Sequence, residues 1–271
     1  MLPVEWSGEE WTGLDGAPGI VYDLGCNIYS PDGRVFQIEY AAKAVENSGA
    51  LIGLKCKDGV IIGAEKLMPS RLLMESSGRR VHPVGMHAGI AFTGYAADGR
   101  PVVNAARQEV ENYHDYYGVD MPPHTLAERL GHYFHAYTTY GGYRPFGLTT
   151  MVTSFDEVTQ EPFLHMIDPS GTQFRFHGAA AGKSKQAAKT EIEKLNLKAL
   201  TCAEALKRIS LIIHTIREEE KDKPFVLEAG WITADTDWKF QLVPKNLRDE
   251  AFEWGKAEFD KMDDDDDDDE D

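Results

Sequence analysis

Gly178, Ala179, Ala180, Ala181, Gly182, Lys183 and Ser184 read like a phosphate loop. In such a loop backbone N–H groups cradle phosphate at a helix N-terminus and a lysine neutralises it. That cradle needs four residues between its glycines. Here there are three, and His177 stands where the first glycine belongs, so the run is expected to serve tight packing between a strand and a helix. His132 and His135 share a helical face with the spacing of a zinc pair, but no third ligand stands nearby in sequence. Cys26, Cys56 and Cys202 are scattered without metal-ligand spacing, and an odd count without a framework points to a reducing compartment. No cofactor and no metal is expected. Asp115, Asp120 and Glu128 read as a solvated face, and Tyr133, Phe134, Tyr137, Tyr140 and Tyr143 as packing and contact with another chain.

The elements that must position these residues follow from periodicity. Ser30, Pro31, Asp32 and Gly33 make a turn, because proline presets the dihedral at the second position and glycine suits the fourth. Beyond Arg34, the apolar Val35, Ile38, Ala42 and Val45 recur at spacings of three and four, the stripe of a short helix. Apolar runs at 50–56 and 60–64 flank Lys57, Asp58 and Gly59, a hairpin signal, and Ile61 beside Ile62 implies a strand covered on both faces. Further strands are predicted at 87–93, 148–154, 162–167, 173–177 and 225–233. Helices are predicted at 96–116, 124–140, 185–195, 202–219 and 246–261. Strands, two helices, strands, then helices is a pattern for α+β layers in one domain.

Composition narrows the function classes. The formal charge is −17, and removing the nine acids of residues 263–271 leaves −8. So acidic a body repels phosphate backbones, which excludes nucleic acid as a partner class. No apolar run approaches the roughly 20 residues that cross a bilayer. Glu5, Glu9, Glu10 and Asp15 stand where a signal peptide would be basic. A soluble, intracellular protein is expected, with residues 1–20 as a flexible extension, one domain over 21–262, and a self-repelling, disordered tail over 263–271.

Tyr22, Asp23 and Leu24, then Tyr29 through Ala41 (Tyr-Ser-Pro-Asp-Gly-Arg-Val-Phe-Gln-Ile-Glu-Tyr-Ala), with Ala44 and Val45, resemble the N-terminal signature of proteasome alpha subunits. Lys57-Asp58-Gly59-Val60, Arg144-Pro145-Phe146-Gly147, Ile167-Asp168-Pro169-Ser170-Gly171 and Ala187-Ala188-Lys189-Thr190-Glu191 extend the resemblance over residues 21–255. The runs at 43–47 and 183–195 and the acidic C-terminus resemble one branch, the type-3 subunits at the seventh position of the eukaryotic ring. The resemblance implies a four-layer αββα sandwich of the N-terminal nucleophile hydrolase type. It also implies a cytoplasmic and nuclear particle in which seven alpha subunits stack on a ring of beta subunits and receive a regulatory particle or other activators. Tyr22, Asp23, Pro31 and Tyr40 fall at the family's gate-ordering positions, where a phenol and a carboxylate tie neighbouring tails by charge-assisted hydrogen bonds. Arg144, Pro145, Phe146 and Gly147 match the turn lining the pore annulus. Arg80 matches the lysine of the pocket for activator C-termini, keeping the charge but changing its geometry. Leu24 stands where many alpha subunits carry arginine, so it makes no ion pair there. The leader exceeds the usual family tail.

Hydrolytic beta subunits attack with an N-terminal threonine whose amine is the base, assisted by a lysine. Aligning the first strand puts Gly49 at the threonine and Val81 at the lysine, so neither functional atom is present. Cleavage at Gly171-Thr172 would split the domain, and Gly25-Cys26 lies outside the strand that should carry a nucleophile. The expected function is therefore non-catalytic: structure and gating. The competing enzyme reading is a self-processing peptidase of the same fold.

Overall fold

A computed structural model describes residues 20–217 and 223–268. The chain order is α1 (Ile20–Asp23), α2 (Phe36–Glu46), β1 (Leu51–Lys55), β2 (Gly59–Leu67), β3 (Val81–Pro83), β4 (Ala88–Gly94), α3 (Ala96–Tyr117), α4 (Pro123–Thr139) and β5 (Leu148–Asp156). It continues with β6 (Glu161–Ile167), β7 (Gln173–Arg175), β8 (Gly178–Ala181), α5 (Lys185–Glu193), α6 (Cys202–Thr215), β9 (Phe225–Thr233), β10 (Gln241–Leu242) and α7 (Lys245–Asp268). Residues 1–19, most of the expected extension, lie outside the described residues, as do 218–219 of the helix expected at 202–219.

Alternation along the first hairpin decides the layering. β1 and β2 pair antiparallel, with Leu51 opposite Ala64 and Lys55 opposite Val60. Leu51, Val60, Ile62 and Ala64 enter a core shared with Ala91, Met151 and Leu164 of the opposite sheet. Their neighbours Ile52, Leu54 and Ile61 face the other way, beneath Leu206, Ile209 and Ile213 of α6. A strand buried on both faces needs a layer on each side. One sheet runs β10-β9-β2-β1-β8 and the other β3-β4-β5-β6-β7. Helices α5, α6 and α7 cover the first. Helices α3 and α4 cover the second, around a third core of Phe92, Val102, Leu130, Phe134 and Phe146. The fold is the α+β, four-layer αββα sandwich. At Gly53 the sheets approach so closely that a Cβ would lie 2.8 Å from a Leu164 methyl.

Three strands escaped the sequence reading. β3, β8 and β10 have two to four residues, too few to show alternation. β8 is the Gly-Ala run itself, paired with β1 from Gly178 opposite Leu54 to Ala181 opposite Leu51. The last helix passes the boundary expected at 262, and the backbone of residues 263–268 continues it where the charge pattern predicts a disordered tail. Extending an existing helix needs no new nucleus.

Candidate functional site

The N-terminal segment folds back on α2. The turn closes by Gly33 N–H donating to the Ser30 carbonyl at 2.8 Å, with Pro31 at its second position and Gly33 at φ +75°. Chain direction then reverses, and α1 lies against α2. The Tyr40 hydroxyl donates to Asp23 Oδ1 at 3.1 Å, and the Gln37 side-chain amide donates to the Asp23 carbonyl. The bond to Asp23 comes first among the causes that raise the Tyr40 phenol above its ordinary value. Tyr22 precedes Asp23 on the same short helix and is half-buried. Buried Cys26 anchors the segment by donating its thiol to the carbonyls of Tyr143 at 3.3 Å and Tyr140 at 3.8 Å.

That anchor brings the second set of residues alongside. Arg144 makes a two-pronged ion pair with Asp98, Nη1 to Oδ2 at 2.7 Å and Nη2 to Oδ1 at 2.8 Å. Asp98 Oδ2 also accepts the Gly147 N–H at 3.0 Å. Burial pushes the Asp98 carboxyl up, but the bonds from Arg144 and Gly147 outweigh it and hold the group below the usual carboxylate range. Asp98 sits in the first turn of α3, where the helix dipole also favours a negative charge. Phe146 points the other way, into a buried aromatic cluster with Tyr133, Phe134 and Tyr137, at ring separations of 4.3 to 5.4 Å. Tyr40, Gln37, Tyr95, Arg144, Pro145 and Gly147 line one groove of about 380 Å³. Tyr40 and the Arg144 turn, separate in sequence, thus share one surface. Asp98 and Cys26 are the residues sequence reasoning missed. An acid in a helix's first turn is commonplace, and a lone cysteine carries no spacing signal.

Residues 45–232 match the pattern described as Proteasome subunit, and residues 22–44 match the N-terminal signature of A-type proteasome subunits. The chain belongs to the proteasome subunit family. It is 48% identical over 245 residues to Proteasome subunit alpha type-3 of Arabidopsis thaliana, covering 90% of this chain and 98% of the relative. Its identity to Proteasome subunit alpha type-3 of Dictyostelium discoideum is 47%, over 88% and 95%. Its identity to Probable proteasome subunit alpha type-7 of Saccharomyces cerevisiae is 39%, over 91% and 86%. As a member of this family the chain is a component of a proteasome core and assembles with other proteasome subunits.

Gly49, expected at the position of the nucleophile of hydrolytic subunits, lies in continuous backbone between α2 and β1. A Cβ there would sit 2.5 Å from the Glu65 carbonyl oxygen. The Gly49 carbonyl accepts the Thr93 hydroxyl. Val81, matched to the lysine, is buried between the sheets. Next to Val81 in sequence stands the cation Arg80. It donates from Nη1 to the Gly94 carbonyl at 3.2 Å, and its guanidinium lies 5.4 Å from the Phe92 ring centre. Burial pulls this guanidinium below its ordinary value, partly opposed by Glu228. Arg80 therefore faces inward. The neighbouring groove, of about 550 Å³, takes its cations from Arg79, Lys245 and Arg248.

The Gly178 run makes no phosphate cradle, because Gly178 to Ala181 are a strand and the Lys183 N–H is given to the Ser48 carbonyl at 2.9 Å. A Cβ on Gly178 would meet an Ile192 methyl at 2.7 Å, so the strand–helix packing expected there is what the glycine serves. His132 and His135 line a shallow pocket with Glu128 and Ser170. Among the described residues they belong to no group of three ligands within reach of one ion.

Proposed function

We propose that this chain is a non-catalytic structural and gating subunit in the seven-membered outer ring of a 20S proteasome core. Its place is that of the alpha type-3 subunits it resembles. It contacts neighbouring alpha subunits and the beta ring, and receives a regulatory particle or other activators. It helps admit unfolded proteins for ubiquitin-dependent and ubiquitin-independent degradation, while beta subunits perform the hydrolysis. The particle works in the cytoplasm and nucleus. No helix among the described residues is long and apolar enough to cross a membrane.

One observation carries this reading: the chain ahead of β1 is built into the fold. A self-processing hydrolase discards everything before its nucleophile. Here that would strip α2, whose Ala41 and Val45 are buried, and remove Ser48, whose hydroxyl lies 2.6 Å from that of Thr93 and whose carbonyl accepts the Lys183 N–H at 2.9 Å. The alternative of a self-processing peptidase is not favoured. Ring contact is supported by exposed apolar and aromatic side chains on and around the gate segment, with Leu24 82%, Tyr29 72% and Tyr40 48% exposed.

The test is Tyr40→Phe in the assembled core. Losing one exposed hydrogen bond costs about 1 kcal/mol or less, so the particle should assemble normally while its unstimulated peptide hydrolysis rises several-fold. Unchanged hydrolysis would remove Tyr40 from the gate. Peptide turnover by the isolated chain, or a mature N-terminus at Cys26 or Thr172, would sink the non-catalytic reading altogether.

A further inference from the structure

The turns at the end of the β4–β5 pair away from Gly147 bring together His87, Asp120 and Glu157. They come from the connection between β3 and β4, the loop between α3 and α4, and the turn between β5 and β6. The seven residues of β4 put this end about 20 Å from the gate groove. The His87 ring is mostly buried, with Nδ1 2.7 Å from the Trp238 carbonyl oxygen. Nδ1 must donate there, which leaves Nε2 as the nitrogen available to a metal, as in imidazoles held for metal binding by a backbone carbonyl. The ring also lies 6.3 Å from that of Phe155, which stacks on Trp238 at 4.5 Å, so its direction is fixed by packing. Nε2 points at two carboxylates, 3.6 Å from Asp120 Oδ2 and 3.6 Å from Glu157 Oε1.

We propose that His87, Asp120 and Glu157 form a divalent transition-metal site of the zinc type. Donors bound to zinc at about 2.0–2.2 Å in a tetrahedron stand about 3.3–3.6 Å from one another, and both distances from Nε2 fall at that spacing. All three donor atoms lie within 4.8 Å of one another. Rotation of the exposed Glu157 side chain closes the remaining edge. One imidazole with two carboxylates suits zinc, cobalt or manganese rather than calcium or magnesium, which take oxygen alone. Three protein donors leave a fourth position for water. Bound there, the ion staples the loop between α3 and α4 to the two connections that flank the β4–β5 pair. Asp120 was expected on a solvated face and no metal was expected; the three donors lie 33 and 37 residues apart, a separation that carries no ligand-spacing signal.

The test titrates metal-stripped, full-length chain with Zn²⁺ by calorimetry at physiological salt, with excess Mg²⁺ present to occupy oxygen-only sites such as the acidic stretch. Wild type should take up one equivalent and gain melting temperature with it. His87→Gln should lose that equivalent, and Glu157→Gln, an exposed change that leaves the fold intact, should bind at least tenfold more weakly. Variants that bind Zn²⁺ as wild type does would overturn the proposal. So would wild type that binds none, leaving an imidazolium–carboxylate ion pair only.

Discussion

Replacing Asp98 with alanine tests whether one carboxylate holds the turn at residues 144–147. The side chain accepts three bonds, two from Arg144 and one from the Gly147 N–H. These losses are unequal. Gly147 is buried, and an orphaned buried N–H costs about 1–3 kcal/mol. The Arg144 side chain is 59% exposed and recovers water, so its share is about 1 kcal/mol or less. The expected loss for Asp98→Ala is about 2–4 kcal/mol, or roughly 5–10 °C in a chain of this size. Asp98→Asn keeps an acceptor for Gly147 and should lose about half as much. Arg144→Ala leaves the Gly147 bond intact and should lose about 1 kcal/mol. Urea unfolding followed by circular dichroism, with equal slopes required of all variants, measures the series. If Arg144→Ala proved as damaging as Asp98→Ala, or Asp98→Ala cost under about 0.5 kcal/mol, the assignment of the energy to Gly147 would be refuted.

Gly49→Thr supplies a hydroxyl at the position proposed to match a nucleophile but drives a Cβ against the Glu65 carbonyl at 2.5 Å. The variant should be destabilised by several kcal/mol, on the order of 1–3 from overpacking alone, and show no hydrolysis in a fluorogenic peptide assay; activity would contradict the reading of this position. His165 and His214 have their pKa values lowered from 6.5 to about 4, chiefly by burial. Between these values the unfolded chain binds the proton and the folded chain does not. The stability they contribute is complete above pH 6.5 and lost as pH falls towards 4. Each should cost about 2 kcal/mol by pH 5. Unfolding midpoints from pH 7.5 to 5 should fall accordingly and flatten in His214→Leu; an unchanged slope in that variant would remove His214 as a cause.

Much of this architecture is written locally. The Asp58-Gly59 hairpin, the Ser30 to Gly33 turn and the helices α3 and α4 depend on neighbours a few residues apart, so periodicity and turn chemistry reveal them. The doubled Ile61 and Ile62 disclosed a strand covered on both faces, and with it the need for outer helical layers. That Gly49 offers neither hydroxyl nor thiol was also visible in one dimension. What the tertiary structure decided is which distant groups meet. Gly178 to Ala181 became a strand only because β1 offered its free edge. Asp98 finds Arg144 across 46 residues, Cys26 finds Tyr143 across 117, and Asp120 finds His87 at the far end of a sheet. An acid in a first helical turn has the same local preferences whether it faces water or a guanidinium. Its partner is set by how strand lengths and helix returns bring chain ends together, and that information belongs to the whole fold.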